Sequence, residues 1–378
     1  MAFDSNVKIG VLGGGQLGRM MIQSAIDFNL DVHVLDPDPN APCKNISTSF
    51  TNGSLTDFDT VMAFGADKEL LTIEIENVNT EALKELQKQG KKVFPQPEVI
   101  ELIQNKLHQK QFYAKHGIPT APFHEVANAE EVKAKKDFLP FVNKLATGGY
   151  DGRGVQVIRN EEAMDKAFDA PGFVEEMVDF EKELAVIVAR NEAGEMKTFP
   201  TVEMVFHPEH NLVEYLFSPA EINSGIEEQA QKLAKEVIEK LDMVGLLAIE
   251  MFLTKEGKLL VNEVAPRTHN SGHQTIEGNV TSQFEQHLRA ILNWPLGDTT
   301  TLWPSAMVNV LGEDGFTGDA KYEGMSEVIA KSGVHVHLYG KKLTKPFRKM
   351  GHITVSDQDM NELREKVNFV KSTLKVKA

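Results

Sequence analysis

Residues 246–273 read LLAIEMFLTKEGKLLVNEVAPRTHNSGH, and the fold turns on how they pair. Two apolar runs, 246–253 and 259–264, flank Lys255-Glu256-Gly257-Lys258. Short apolar runs around a Gly-containing polar turn predict a β-hairpin. With Glu256-Gly257 as a two-residue loop, Glu250 and Glu263 face each other across it. Like charges directly opposite destabilise a sheet, and the neighbours Ala248, Phe252, Leu259 and Val261 offer little water. A shared proton or a divalent cation relieves such a pair. Mg²⁺ commonly takes one or two carboxylates together with substrate phosphates, so Glu250 and Glu263 are the candidate metal ligands. The alternative is a half-exposed hairpin carrying two solvated glutamates.

Beyond the hairpin, residues 265–273 (APRTHNSGH) are dense in donors and poor in bulky apolar groups. Beside a metal–phosphate site such a loop suits an oxyanion. Its two histidines lack zinc spacing and nearby sulfur ligands. Upstream, Ile226, Ala230, Leu233, Ala234, Val237, Ile238 and Leu241 share one helix face, which reads as core support. Residues 138–145 predict a strand carrying Lys144, followed by TGGYDGRG at 147–154 and a strand at 155–158. A Gly-rich loop between two strands resembles a flap over phosphates, with Lys144 placed to neutralise their charge; a long hairpin loop is the alternative. It is not a Walker A loop, because no Gly-Lys-Ser/Thr leads into a helix. FVEEMV at 173–178, with Glu183 at the start of a strand over 184–189, can offer backbone groups to a purine and carboxylates to a ribose. Residues 98–116 read as one helix containing Lys106.

The N-terminal segment gives a strand at 7–12, the turn Gly13-Gly14-Gly15-Gln16-Leu17-Gly18, a helix over 20–28 and a strand at 31–36. This matches the dinucleotide fingerprint, with Asp36 near the place of a ribose-binding acid. Its glycines, Gly15 among them, let the backbone approach a phosphate at a helix N-terminus. A nicotinamide cofactor and a plain tight turn both remain open here. A strand at 70–75 runs into Glu74-Ile75-Glu76-Asn77. Ligands of open α/β sheets bind at the carboxyl ends of strands, so Glu74 and Glu76 are placed to meet the same ligand. A strand at 92–97 leads to a linker marked by Pro95 and Pro97. Strands at 305–311, 334–339 and 353–355 and a helix at 361–371 fill the last region. There Lys341, Lys342, Arg348, Lys349 and His352 either bind an anion or form a solvated face.

A chain of 378 residues holds two or three domains. Its 41% hydrophobic and 25% charged content is that of a soluble globular protein. The net charge of −15 gives no global support for nucleic-acid binding. One cysteine, Cys43, excludes an internal disulfide and fits a reducing compartment. No apolar run approaches the roughly 20 residues of a membrane span, and Asp4 with the Gly-rich turn stands where a secretion signal needs an apolar core. The expectation is a cytoplasmic protein acting on small molecules, with neither nucleic acid nor membrane as partner.

Taken together, GGGQLGRM at 13–20, EIEN at 74–77, KLATGGYDGRG at 144–154, NEVAPRTHNSGH at 262–273 and RKMGH at 348–352 resemble the N5-carboxyaminoimidazole ribonucleotide synthetases of the ATP-grasp superfamily. The resemblance runs from Gly10 to about Val355. It implies an α/β chain with a Rossmann-like domain at 1–98, an ATP-grasp domain with a mobile lid at 99–303, and a small C-terminal domain at 304–378, assembled as a homodimer. The implied reaction joins bicarbonate to 5-aminoimidazole ribonucleotide with ATP going to ADP and phosphate, assisted by Mg²⁺, with Mn²⁺ as the alternative ion. Lys106 and Lys144 are implied at the ATP phosphates under a lid of Gly149, Tyr150, Asp151, Gly152, Arg153, Gly154 and Val155. Glu175, Glu176, Met177 and Val178 are implied at the adenine and Glu183 at the ribose. Asn262 and Glu263 are implied at ATP, and Glu250 and Glu263 at the metal. Arg267, His269, Asn270 and Ser271 are implied at bicarbonate and carboxyphosphate. Gln16, Leu17, Glu76, Tyr150, Asp151, Lys341, Arg348 and Lys349 are implied at the ribonucleotide, Lys341 also as a catalytic group. The resemblance turns Asp36 into a structural or peripheral residue. Lys106 where Arg is common, Thr268 for a Pro, Met204 for an Asn, Phe206 near a usual His and Glu221 for an Arg depart from the family pattern. A formate-dependent glycinamide ribonucleotide transformylase, a nicotinamide oxidoreductase and a non-catalytic binding protein are the competing readings.

Overall fold

The computed structural model describes residues 6–148, 154–207 and 212–378. In the N-terminal region β1 (Lys8–Leu12), α1 (Gln16–Asp27), β2 (Asp31–Asp36), β3 (Ser49–Asn52), α2 (Phe58–Gly65), β4 (Leu70–Ile73), α3 (Thr80–Lys88) and β5 (Lys92–Val93) follow one another. Their strands form a parallel sheet in the order β3-β2-β1-β4-β5. Strand β4 is buried throughout and β1 nearly so, as expected of strands covered on both faces. The strands expected at 70–75 and 92–97 are shorter than their apolar runs. Strand β4 stops before Glu74, and β5 stops before Pro95, which has no N–H for a ladder.

The single helix expected over 98–116 is two helices, α4 (Pro97–Gln104) and α5 (Lys106–His116). Asn105 between them is extended, and its side chain accepts from the N–H groups of Leu107 and His108. Asn is among the best N-caps, and here it restarts the chain so that Lys106 opens α5. Next come β6 (Phe123–Val126), α6 (Ala129–Lys133), β7 (Phe141–Leu145), β8 (Val155–Ile158) and β9 (Gly172–Glu176). The strands form an antiparallel sheet in the order β6-β9-β7-β8. It has its own apolar cluster of Val126, Val132, Phe141, Ile158, Met164 and Val174.

The largest sheet is built from β10 (Phe180–Arg190), β11 (Met196–Thr198), β12 (Val202–Phe206) and β13 (Val213–Ser218), then, after α7 (Ser224–Lys240), from β14 (Gly245–Thr254) and β15 (Leu259–Ala265). After α8 (Thr275–Gly278) and α9 (Gln283–Ile291) it continues in β16 (Ser305–Leu311). Two short strands, β17 (Gly318–Asp319) and β18 (Lys321–Glu323), and α10 (Met325–Ile329) precede β19 (Val334–Leu338). The chain ends with β20 (Leu343–Thr344), β21 (Lys349–Ser356), α11 (Met360–Thr373) and β22 (Lys375–Lys377). The order is β15-β14-β10-β12-β13-β16-β21-β19, with β11 on β10. Helix α7 buries the expected face, Ile226 to Ile238, against Leu184, Val186, Val188, Leu247 and Ile249. Full burial of such side chains stabilises by about 1.5–3 kcal/mol each. The sheet runs unbroken across residue 304, where Ser218 pairs with Ser305 and Leu216 with Met307. Beyond it, Val308, Ile353, Val367 and Val370 share a separate cluster on one face.

The hairpin closes differently from the expected two-residue loop. Thr254 N–H donates to the Lys258 carbonyl at 2.9 Å, so the loop is Lys255, Glu256 and Gly257, with Gly257 at φ +78°. A three-residue loop with a left-handed Gly is the next most common closure. By itself it would set Glu250 against Asn262. A bulge inserts Asn262 as an extra residue and returns Glu250 to Glu263. The two departures cancel at the position that matters.

Candidate active site

Glu250 and Glu263 are opposed on β14 and β15. Lys106 Nζ lies 2.5 Å from Glu263 Oε2, and His269 Nε2 lies 3.7 Å from Glu250 Oε1. Burial, then the Glu263 and Glu183 carboxylates, push the Glu250 carboxyl above the usual range. Burial presses Glu263 the same way, but Lys106 and Lys144 outweigh it and hold that carboxylate below the usual range. Among the described residues no cluster of three or more His, Cys, Asp or Glu side chains is arranged to hold a metal. A cation bound here would have these two carboxylates and would need its remaining ligands from substrate, a donor set that fits Mg²⁺.

Beside this pair lies a lysine cluster. Lys144 Nζ donates to Asn262 Oδ1 at 3.1 Å and lies 2.5 Å from Glu175 Oε1. Lys110 Nζ lies 2.6 Å from Glu175 Oε2. The resemblance sets Glu175 beside adenine; its side chain, on a residue 4% exposed, is instead gripped by these two lysines. Glu183 lies inside β10 rather than at its start; burial, against Lys144, pushes it up to about 7. At the end of β9 the Glu176 N–H donates to the Pro122 carbonyl, the Met177 N–H beyond it donates to the Pro140 carbonyl, and Val178 follows, half-buried. The Gly154 carbonyl accepts from Leu145 N–H, and Val155 stands in register with Lys144. Gly149, Tyr150, Asp151, Gly152 and Arg153 lie outside the described residues.

The oxyanion loop folds back onto the hairpin. Arg267 Nη2 lies 2.8 Å from Glu76 Oε1. Ser271 N–H donates to His269 Nδ1 at 3.3 Å, which leaves the ring proton on Nε2, toward Glu250. Burial, then Arg267 and Lys349, push His269 down to about 3, so the ring is neutral. Asn270 and Ser271 begin the turn that follows. Gln283, a residue the pattern reading passed over, accepts from His269 N–H at 2.8 Å and donates to the His269 carbonyl at 2.7 Å. Gly272 makes room for it: a Cβ there would come 2.6 Å from Gln283 Cδ. Its signal in the sequence was a polar residue opening an otherwise apolar-faced helix, and Lys110 was legible only as a polar residue sharing a helix face with Tyr113.

Gln16 Oε1 accepts from Lys341 Nζ at 3.0 Å, and the same Nζ donates to the Lys349 carbonyl at 2.7 Å. Lys349 opens β21 and acts on both His269 and Glu250. Arg348 Nη1 donates to the Leu343 carbonyl at 2.7 Å. The turn at Gly13–Gly18 differs from the reading of it as a phosphate cradle. Leu17 N–H donates to Glu74 Oε1 at 3.1 Å, and a Cβ on Gly15 would meet that oxygen at 2.5 Å. The glycine therefore accommodates Glu74. Asp36 Oδ2 accepts from Gly14 N–H at 2.6 Å and Oδ1 from Asp38 N–H at 2.7 Å. It staples the turn, which removes the main support for a nicotinamide cofactor.

Comparison with known proteins matches residues 6–104 to the ribonucleotide synthetase preATP-grasp domain, 111–284 to the ATP-grasp domain and 305–366 to the phosphoribosylaminoimidazole carboxylase C-terminal domain. The chain is 38% identical over 361 residues to the N5-carboxyaminoimidazole ribonucleotide synthase of Bacillus subtilis, covering 94% of this chain and 92% of that protein. The chain belongs to the N5-carboxyaminoimidazole ribonucleotide synthase family. This synthase fold superposes on the synthetase of Thermotoga maritima with a TM-score of 0.92 at 42% identity, covering 98% of this chain and 99% of that one. It superposes on the Aspergillus clavatus synthase in complex with ADP and 5-aminoimidazole ribonucleotide with a TM-score of 0.87 at 34% identity, covering 97% and 98%. The phosphoribosylaminoimidazole carboxylase of Ogataea methanolica is 40% identical over 381 residues, which are 97% of this chain and 69% of that protein. As a member of the synthase family, the chain is an ATP-dependent ATP-grasp ligase of purine biosynthesis. No helix among the described residues is long and apolar enough to cross a membrane.

Proposed function

We propose that the cleft between the hairpin, the oxyanion loop and the Gln16–Lys341 contact carries out ATP-dependent carboxylation of 5-aminoimidazole ribonucleotide with bicarbonate, through carboxyphosphate. The observation that carries this reading is the convergence of three chemistries: a facing carboxylate pair, a lysine cluster and a neutral histidine beside an arginine. Lys106 and Lys144 offset the charge of the transferring γ-phosphoryl, so that a bicarbonate oxygen attacks it. Glu250 and Glu263 would hold a Mg²⁺, which would supply further charge neutralisation at the phosphates. Arg267 binds the anion and is oriented by Glu76. His269 Nε2–H, with Asn270 and Ser271 following in the loop, donates toward oxyanion charge without adding a proton. Lys341, Gln16 and Lys349 hold the ribonucleotide so that its amine meets the carboxyl carbon, and excluding water preserves carboxyphosphate.

Glu176, Met177, Val178 and Glu183 line the nucleoside end of ATP. The domain boundaries at 98 and 303 belong to the same reading, as do the cytoplasmic location and a homodimer, to be checked by sedimentation. The test is ADP release with bicarbonate, with and without 5-aminoimidazole ribonucleotide. Formation of ADP and carboxylated product with the ribonucleotide is expected; turnover with formate and glycinamide ribonucleotide instead would replace this reading by the transformylase.

A further inference from the structure

Lys110 stands on α5 one turn after Lys106, so the two share a helix face. It is 2% exposed. Its Nζ lies 2.6 Å from Glu175 Oε2 and donates to Thr120 Oγ1 at 2.5 Å. Thr120 in turn donates to the Val261 carbonyl at 2.7 Å, which fixes the hydroxyl as Lys110's acceptor. The Phe173 ring lies on another side, its centroid 6.0 Å from Nζ. Lys144, by contrast, divides itself between Glu175 at 2.5 Å and Asn262 at 3.1 Å, at the edge of the carboxylate pair.

Resting on the reading above, in which Lys144 serves the ATP phosphates, Lys144 has to exchange one anion for another. Removing it from Glu175 would strand a buried carboxylate, and an uncompensated buried charge is strongly unfavourable. We propose that Lys110 is a positioning residue for ATP: it keeps Glu175 paired while Lys144 turns to the phosphates. Glu175 stays in place between the two tasks, and Lys110, anchored through Thr120 to β15, stays with it. Without Lys110, Glu175 holds Lys144 and competes with ATP for it.

The test uses the full chain and ADP-release kinetics of three variants: Lys110→Met, Lys144→Met, and the charge-balanced Lys110→Met/Glu175→Gln. Lys110→Met is expected to raise the ATP KM about tenfold, with the ribonucleotide and bicarbonate KM values within about twofold of wild type. The double variant is expected to return the ATP KM to within about threefold of wild type. A structural ion pair would instead lower melting temperature without that split. Unchanged ATP KM in Lys110→Met, alongside a raised one in Lys144→Met, would overturn the role of Lys110. Unchanged ATP KM in Lys144→Met would overturn the phosphate reading itself. Should Lys110→Met fail to fold, the double variant decides: wild-type-like ATP use supports the proposal and a raised ATP KM defeats it.

Discussion

Two glutamate sites in this molecule answer their carboxylates in opposite ways. Glu74 lies against the start of α1, where the Leu17 N–H donates to it and Gly15 leaves it room. Its demands are met by backbone a few residues of turn away. Glu250 and Glu263 face each other across a sheet, and one lysine and a distant ring proton answer them only in part. A closed carboxyl site of the first kind holds a turn in shape. An open one of the second kind has charge left over, and leftover charge in a cleft recruits a cation and its phosphates.

Breaking the open site should have the largest effect. Glu250→Gln and Glu263→Gln are each expected to lower ADP release about 10²–10³-fold, measured at saturating ATP and Mg²⁺; near-normal turnover in either would show that the pair is not the metal site. Their stabilities should diverge in chelator. Glu263→Gln strips Lys106 of its partner and melts lower, whereas Glu250→Gln removes one of two facing carboxylates and melts at or above wild type.

Gln283→Leu sharpens the contrast from the oxyanion side. It deletes both bonds to the His269 main chain and should lower kcat/KM for bicarbonate about tenfold, more than for ATP. Equal losses for both substrates would mark Gln283 as general core. Lys341→Ala should raise the ribonucleotide KM severalfold and leave that for ATP alone. Arg348→Ala should do less, because its guanidinium is engaged with the Leu343 carbonyl; the reverse ranking would move the anion site toward Arg348.

Breaking the closed site should touch turnover least. Glu74→Gln places an amide against N–H donors and should cost about 1–3 kcal/mol in denaturant unfolding. Its pH dependence is specific. Burial, opposed by Arg267 and the Leu17 N–H, pushes the Glu74 carboxyl up to about 7. A carboxyl raised on folding contributes fully below its unfolded range and loses that contribution as pH rises to its folded value. The gap between wild type and Glu74→Gln should therefore narrow between about pH 5 and pH 7. A gap that widens would mean that Glu74 folds as a strongly held anion.

What could be read from the residues follows the same division. Periodicity placed α7, whose buried positions recur at helical spacing, and a short, almost wholly buried run is β16. The opposition of Glu250 and Glu263 was legible even though the loop length was not, since turn and bulge offset each other. The break at Asn105 was signalled only by a capping residue inside an amphipathic run, and periodicity overrode it. Glu74's true partner, the pairing of Arg267 with Glu76 and the grip of Lys110 on Glu175 depend on which strands come together across long separations. No local pattern encodes them.

The unbroken ladder from β13 to β16 also bears on how the chain can be cut. A truncation at 303 would not release a tidy module. It would leave β13 as an open edge with unpaired amides and carbonyls, a template for joining other chains. The apolar faces of Tyr215 and Phe217, now packed against the cluster that includes Val308 and Ile353, would be bared with it. Degradation tags and split-protein reporters attached there would be working on an aggregation-prone fragment.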